Sequence, residues 1–158
     1  MMDNYLEILE DSLKQKSVIL DKIMEYNGKQ EALLKQEKMS LEDFDFYMDQ
    51  KDELIEQLNR LDDGFETLYE RIRQQLQENK DAHKEQIGRL QRLITQVTEK
   101  SVSIQAQETR NKKLVEEYLA RERQQLGQDR QTSKAAYDYY KSMSNTGAVM
   151  PQFMDQKK

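Results

Sequence analysis

The residues able to do chemistry are few, and their spacing argues against catalysis. The chain has one histidine, His83, and no cysteine. A di-metal helical bundle pairs each histidine with a glutamate three residues earlier, so that both ligands share a helix face. The residue three before His83 is Lys80, which cannot ligate. No nucleophile or carboxylate stands at a spacing that would make His83 a general base, and it reads as a solvated turn residue. The five glycines, at 28, 64, 88, 127 and 147, are isolated, so no glycine-rich phosphate loop forms. The abundant Asp and Glu belong to a charged helix surface. The sequence therefore predicts no enzyme, no cofactor and no metal. What remains is apolar: Leu114, Val115, Tyr118, Leu119, Leu126, Tyr137 and Tyr140, then Met143, Val149, Met150, Phe153 and Met154, set in strongly polar surroundings. Such residues suit the binding of a protein partner.

The composition fits that reading. Of 158 residues, 35% are charged, with 30 acidic and 25 basic, and only one is proline. Leu, Ile, Val and Phe total 34, just above the roughly 20% below which a chain does not fold, so periodicity must decide. Scarce Gly and Pro favour long helices over a globule with many turns. A net charge of -5 speaks against nucleic acid, which calls for clustered Lys and Arg. The basic pair Lys112-Lys113 and the arginines 121 and 123 stand among Glu116, Glu117 and Glu122, as on a solvated helix. No apolar run approaches the roughly 18 residues of a membrane span, and the start, MMDNYLEILEDSL, lacks the pattern of a signal peptide. The expectation is a cytoplasmic protein without membrane insertion.

Alternating steps of three and four then locate the helices. From Leu6 they reach Leu9, Leu13, Lys16, Leu20, Ile23, Asn27, Gln30 and Leu34, an imperfect seam that predicts a first helix over 3–37. Ser40 and Asp43 have capping-box spacing, with Met39 and Phe44 as a hydrophobic staple, so a second helix starts at Leu41. Its seam, Leu41, Phe44, Met48, Lys51, Ile55, Leu58, Asp62, Phe65, Tyr69, Ile72 and Leu76, is the strongest of the chain and predicts helix over 41–78. The count then meets Asn79, His83 and Gln86, which places a turn near Asn79 to Ala82 with Asp81 as N-cap. One continuous helix from Leu41 to Tyr140, about 150 Å long, is the alternative, and would need a dimer to cover it.

A third helix over 82–140 carries Ile87, Leu90, Leu93, Ile94, Val97 and Ile104, crosses the polar patch QAQETRNK (Gln105 to Lys112), and recovers at Leu114. At roughly 90 Å it outruns partners of about 50 to 55 Å, leaving roughly 20 residues overhanging. Their apolar side chains are expected to lack partners within the chain. Gly64, inside LDDGFETLYERI (Leu61 to Ile72), costs a helix about 1 kcal/mol. It is read as admitting a neighbouring backbone, with Phe65 and Tyr69 filling the core beside it; Tyr5, Tyr26, Phe46 and Tyr47 are read as flanking the core. Asn145-Thr146-Gly147 and Pro151 predict an irregular, flexible tail over 142–158. The fold class is all-α: one domain over 1–141, an antiparallel three-helix coiled-coil-like bundle with an overhanging third helix. The unpartnered residues would serve a protein partner or a second copy of the chain, as in a structural or adaptor coiled coil.

Three segments, LDDGFETLYERI (Leu61 to Ile72), ITQVTEKSVSIQAQETRNK (Ile94 to Lys112), and an ending that opens with YYKSM at Tyr139 and closes with MPQFMDQKK at Lys158, together resemble the FlgN family. These are bacterial flagellar type III export chaperones for the hook-filament junction proteins. The resemblance implies an ATP-independent cytoplasmic chaperone that holds hook-associated proteins through its C-terminal helix and tail. It would prevent premature assembly and deliver them to the export gate. A client such as flagellin or the filament cap would use the same fold, and the sequence leaves that choice open.

Overall fold

The computed structural model describes residues 2–126, with the side chains of 125 and 126 outside the description. Three helices carry them: α1, Met2–Leu34; α2, Leu41–Glu78; and α3, Lys84–Leu126, the longest at 43 residues. The fold is an all-α helical bundle. The α1 helix stops three residues short of its expected end, as the Gln36 amide bonds back three residues to the Leu33 carbonyl and tightens the final turn. The α2 bounds are those read from the pattern. Ser40 Oγ accepts a hydrogen bond from the Asp43 amide at 3.2 Å, so the predicted cap forms, a contact worth about 1 kcal/mol.

Between α2 and α3 the chain does break, which excludes the single continuous helix. The break is a short 3-10 turn over Lys80–His83, and α3 starts two residues later than expected. Asp81 lies inside that turn and is not the N-cap. Asn79 holds the end of α2 instead, its Nδ2 donating to the Gln75 carbonyl at 2.8 Å.

The described residues fall into two compact units, one of residues 2–22 and 53–100, the other of 23–52 and 101–126. In both, cross-helix bonds set the chain direction. Residue 16 meets 62 in the first unit and 30 meets 51 in the second, so α1 and α2 are antiparallel. Glu10 meets Arg89 in the first and Asn27 meets Gln107 in the second, so α1 and α3 run parallel. All nine α1 seam positions are buried, including Lys16, Asn27 and Gln30. Leu90, Ile94, Val97, Ser101, Ile104, Glu108, Asn111, Val115 and Tyr118 form the matching buried line of α3, in steps of four and three. That line runs unbroken through Gln105–Lys112, the stretch expected to be a polar interruption.

Candidate interaction surface

The second unit contains the first part of the sequence-predicted binding stretch and corrects its beginning. Val115 and Tyr118, expected to lack partners, are 5% and 7% exposed. Leu114 and Leu119 are half-buried. The Tyr118 hydroxyl meets the backbone of Met39, in the turn joining α1 to α2, and the Glu122 carboxylate; burial, then Glu122, push its pKa up. Arg121 lies over its ring at 5.8 Å. Tyr118 is covered where it reaches the turn that follows α1. The expectation that the apolar side chains from Leu114 onward lack partners within the chain is corrected at Val115 and Tyr118. Met39 marks where α1 has ended, yet α3 continues from Tyr118 to Leu126, about two turns or 12 Å. The Leu126 side chain and Tyr137, Tyr140, Met143, Val149, Met150, Phe153 and Met154 lie outside the described residues.

What holds α3 here is a buried polar layer that the sequence did not reveal. Lys51 Nζ, fully buried, is 2.8 Å from Glu108 Oε1 and donates to Gln30 Oε1 at 2.8 Å. Asn27 Nδ2 donates to Gln107 Oε1 at 3.2 Å, Gln107 Nε2 to the Met24 carbonyl at 3.3 Å, and Asn111 Nδ2 to the Asn27 carbonyl at 3.0 Å. Burial holds the Lys51 ammonium below its ordinary pKa, with the Glu108 carboxylate opposing the shift. Lys51 thus faces Gln30 and Glu108, and Asn27 faces Gln107, as polar partners from different helices. Such layers fix pairing and register more than they add stability.

Exposed apolar surface among the described residues lies elsewhere. In the first unit, Ile8 and Leu9 of α1 face Leu61, Phe65 and Leu68 of α2 across an open groove of about 400 Å³, with Asp11, Gln15 and Arg60 also lining it. Ile8 is 54% exposed. Gly64 lines this groove, and a Cβ there would meet nothing within 4 Å. The expected close approach of a neighbouring backbone is therefore absent among the described residues, although Phe65 is buried and stacks with Tyr69 at 6.4 Å. In the second unit Phe46 is 53% exposed and belongs to a surface aromatic cluster with Tyr47 and Tyr26, centroids 5.7 Å apart in each pair, rather than flanking the core. Lys29 stands over both tyrosines. A search for alternating seams finds inward faces and is blind to such outward ones.

His83 is half-buried and not a free turn residue: its Nδ1 lies 3.1 Å from Asp3 Oδ1 and 3.2 Å from Gln86 Oε1. Among the described residues no group of three or more His, Cys, Asp or Glu is placed to hold a metal ion, and no helix is long and apolar enough to cross a membrane. No family model, no curated protein and no solved structure matches this chain.

Proposed function

We infer that the chain is an ATP-independent export chaperone of the FlgN kind, holding hook-associated junction proteins by the part of α3 beyond Tyr118 and the residues that follow. The observation that carries this is the position of Tyr118 at the α1–α2 turn, with α3 continuing past it to Leu126. Extending the buried line of α3 by the same steps to its end at Leu126 reaches Glu122 and Gln125, both polar. Leu126, Tyr137 and Tyr140 are apolar residues of the sequence that follows, and such residues suit a second protein. Val115 and Tyr118 are assigned to the frame, Leu114 and Leu119 to its edge.

Each large apolar side chain buried on a client contributes roughly 1.5 to 3 kcal/mol before ordering costs. Leu126, Tyr137, Tyr140 and Phe153, helped by the methionines, would reach the about 8 to 12 kcal/mol of micromolar to nanomolar binding. Binding of that strength permits holding and release without nucleotide. A flexible, polarisable thioether accommodates varied surfaces, which suits a handover from client to export gate.

The test is co-purification with hook-associated proteins, flagellin and filament cap, each offered to the intact chain and to a chain ending at Arg123. That truncation keeps Val115 and Tyr118 and so spares the frame. Hook-associated protein is expected on the intact chain alone. Equal recovery by both chains would remove the proposed site, and preference for flagellin or cap would reassign the client.

A further inference from the structure

We propose that the apolar groove of the first unit is a docking site for residues 149–154 of the same chain, with Val149, Met150, Phe153 and Met154 as anchors. The groove is built to receive large side chains: Ile8 and Leu61 form opposite walls, buried Phe65 backs it, and Gly64 leaves its lip without a side chain. Gly64 weakens α2 by about 1 kcal/mol relative to alanine, and no packing among the described residues offsets that, since an added Cβ would touch nothing. A segment pressed close to α2 at this point would offset it. A volume of about 400 Å³ lies within the range of clefts that bury a ligand.

The choice of occupant rests on sequence, charge and reach. Within residues 127–158, four of the six at 149–154 are apolar, in two pairs four positions apart, and two are methionines that adapt to an irregular wall. Residues 127–158 carry five basic and three acidic side chains, a net charge of +2; subtracting this from the total of -5 leaves -7 for residues 1–126. Residues 127–158 as a whole are thus attracted to residues 1–126, while 149–154 carry no charge and would enter an apolar groove without burying one. Residues 127–148 supply 22 residues of tether before the anchors, up to about 70 Å when extended. Tethering also gives the segment an effective concentration that a second copy at micromolar concentration does not match. This inference goes beyond client binding and stands or falls separately from it. Where both hold, docking shields the tail until a client competes for it.

The full chain, which has no cysteine, takes a single spin label at Gln152→Cys, with isotope label on its Ile and Leu methyl groups. The methyl resonances of Ile8, Leu61 and Leu68 are expected to lose most of their intensity, equally at low and high protein concentration. Adding Met150→Ala, Phe153→Ala and Met154→Ala is expected to restore it, as is Gly64→Leu, which fills the groove while favouring helix. Undiminished Ile8, Leu61 and Leu68 signals in the labelled chain would overturn the proposal. So would loss seen in a mixture of spin-labelled chains and separate isotope-labelled chains, which would assign the groove to a second copy.

Discussion

The two units build their cores from opposite materials. Among the buried side chains of the first are Leu6, Leu9, Leu13, Ile19, Leu20, Leu54, Phe65, Ile72, Leu90, Ile94 and Val97, with Lys16 as the one buried polar residue in this set. The second has Ile23, Leu34, Phe44, Ile104, Val115 and Tyr118 against Asn27, Gln30, Lys51, Ser101, Glu108 and Asn111. Apolar burial drives folding at roughly 25 cal/mol per Å², whereas a buried polar group contributes little net stability and is costly when its partner is lost. The first unit is therefore expected to contribute the larger share of stability, and the second to depend more on polar pairing. Its side-chain oxygens on Asn27 and Asn111 have no hydrogen-bond donor among the described residues, which adds to the cost of that choice.

The strongest way to break the contrast is Glu108→Leu, which removes the carboxylate 2.8 Å from the buried Lys51 ammonium and leaves it the neutral Gln30. A loss of about 3 to 5 kcal/mol is expected, read as a lowered urea midpoint. A cost under about 1 kcal/mol would mean that Lys51 does not depend on this partner. Replacing both members, Lys51→Met with Glu108→Leu, tests specificity against stability. The pair is expected to be neutral or more stable than the parent by about 1 to 4 kcal/mol. Its α1–α3 register, followed through contacts around Asn111, should become less uniform, and a large loss of stability would contradict the reading.

The first unit has its own ion pair, Lys16 Nζ to Asp62 Oδ1 at 2.6 Å, but the Asp62 side chain is 23% exposed. Water reaches one partner, so Asp62→Ala should cost only about 1 kcal/mol by thermal unfolding, well below Glu108→Leu. Equal costs for the two would erase the distinction between the units. The smallest effect is a pH dependence. The hydrogen bond from Arg89 holds the Glu10 carboxyl below its ordinary pKa of 4.5, against a smaller opposing effect of burial. A carboxyl depressed in the folded state stabilises above its unfolded value, and that contribution is lost as pH falls through the folded one. Glu10→Gln should thus be slightly less stable than the parent near neutral pH, with the gap closing below 4.5. A gap that widens on acidification would reverse the assigned sign.

Much of the frame was legible before any coordinates. The α1 seam from Leu6 to Leu34 is buried at every position, because a three-four repeat selects one helix face whatever the neighbours are. The start of α2 follows from Ser40 and Asp43, since capping is local chemistry. The site was less legible. Leu114, Val115, Tyr118 and Leu119 were grouped with the residues beyond them because periodicity has no knowledge of where a partner helix ends. That end is set by the Tyr118–Met39 contact across the bundle.

The sequence by itself determined where α2 begins and which side of α1 turns inward, both consequences of spacing within about one helical turn; that the chain breaks after Glu78 rather than continuing as one helix was decided by the structure. Only the tertiary structure decided that Lys51 would meet Gln30 and Glu108, and Asn27 would meet Gln107 and Asn111. Local spacing ranks each of these as a flaw in its own seam. They become partners when folding brings residues 21 to 84 positions apart into one dry layer, where a polar group is tolerated only beside another.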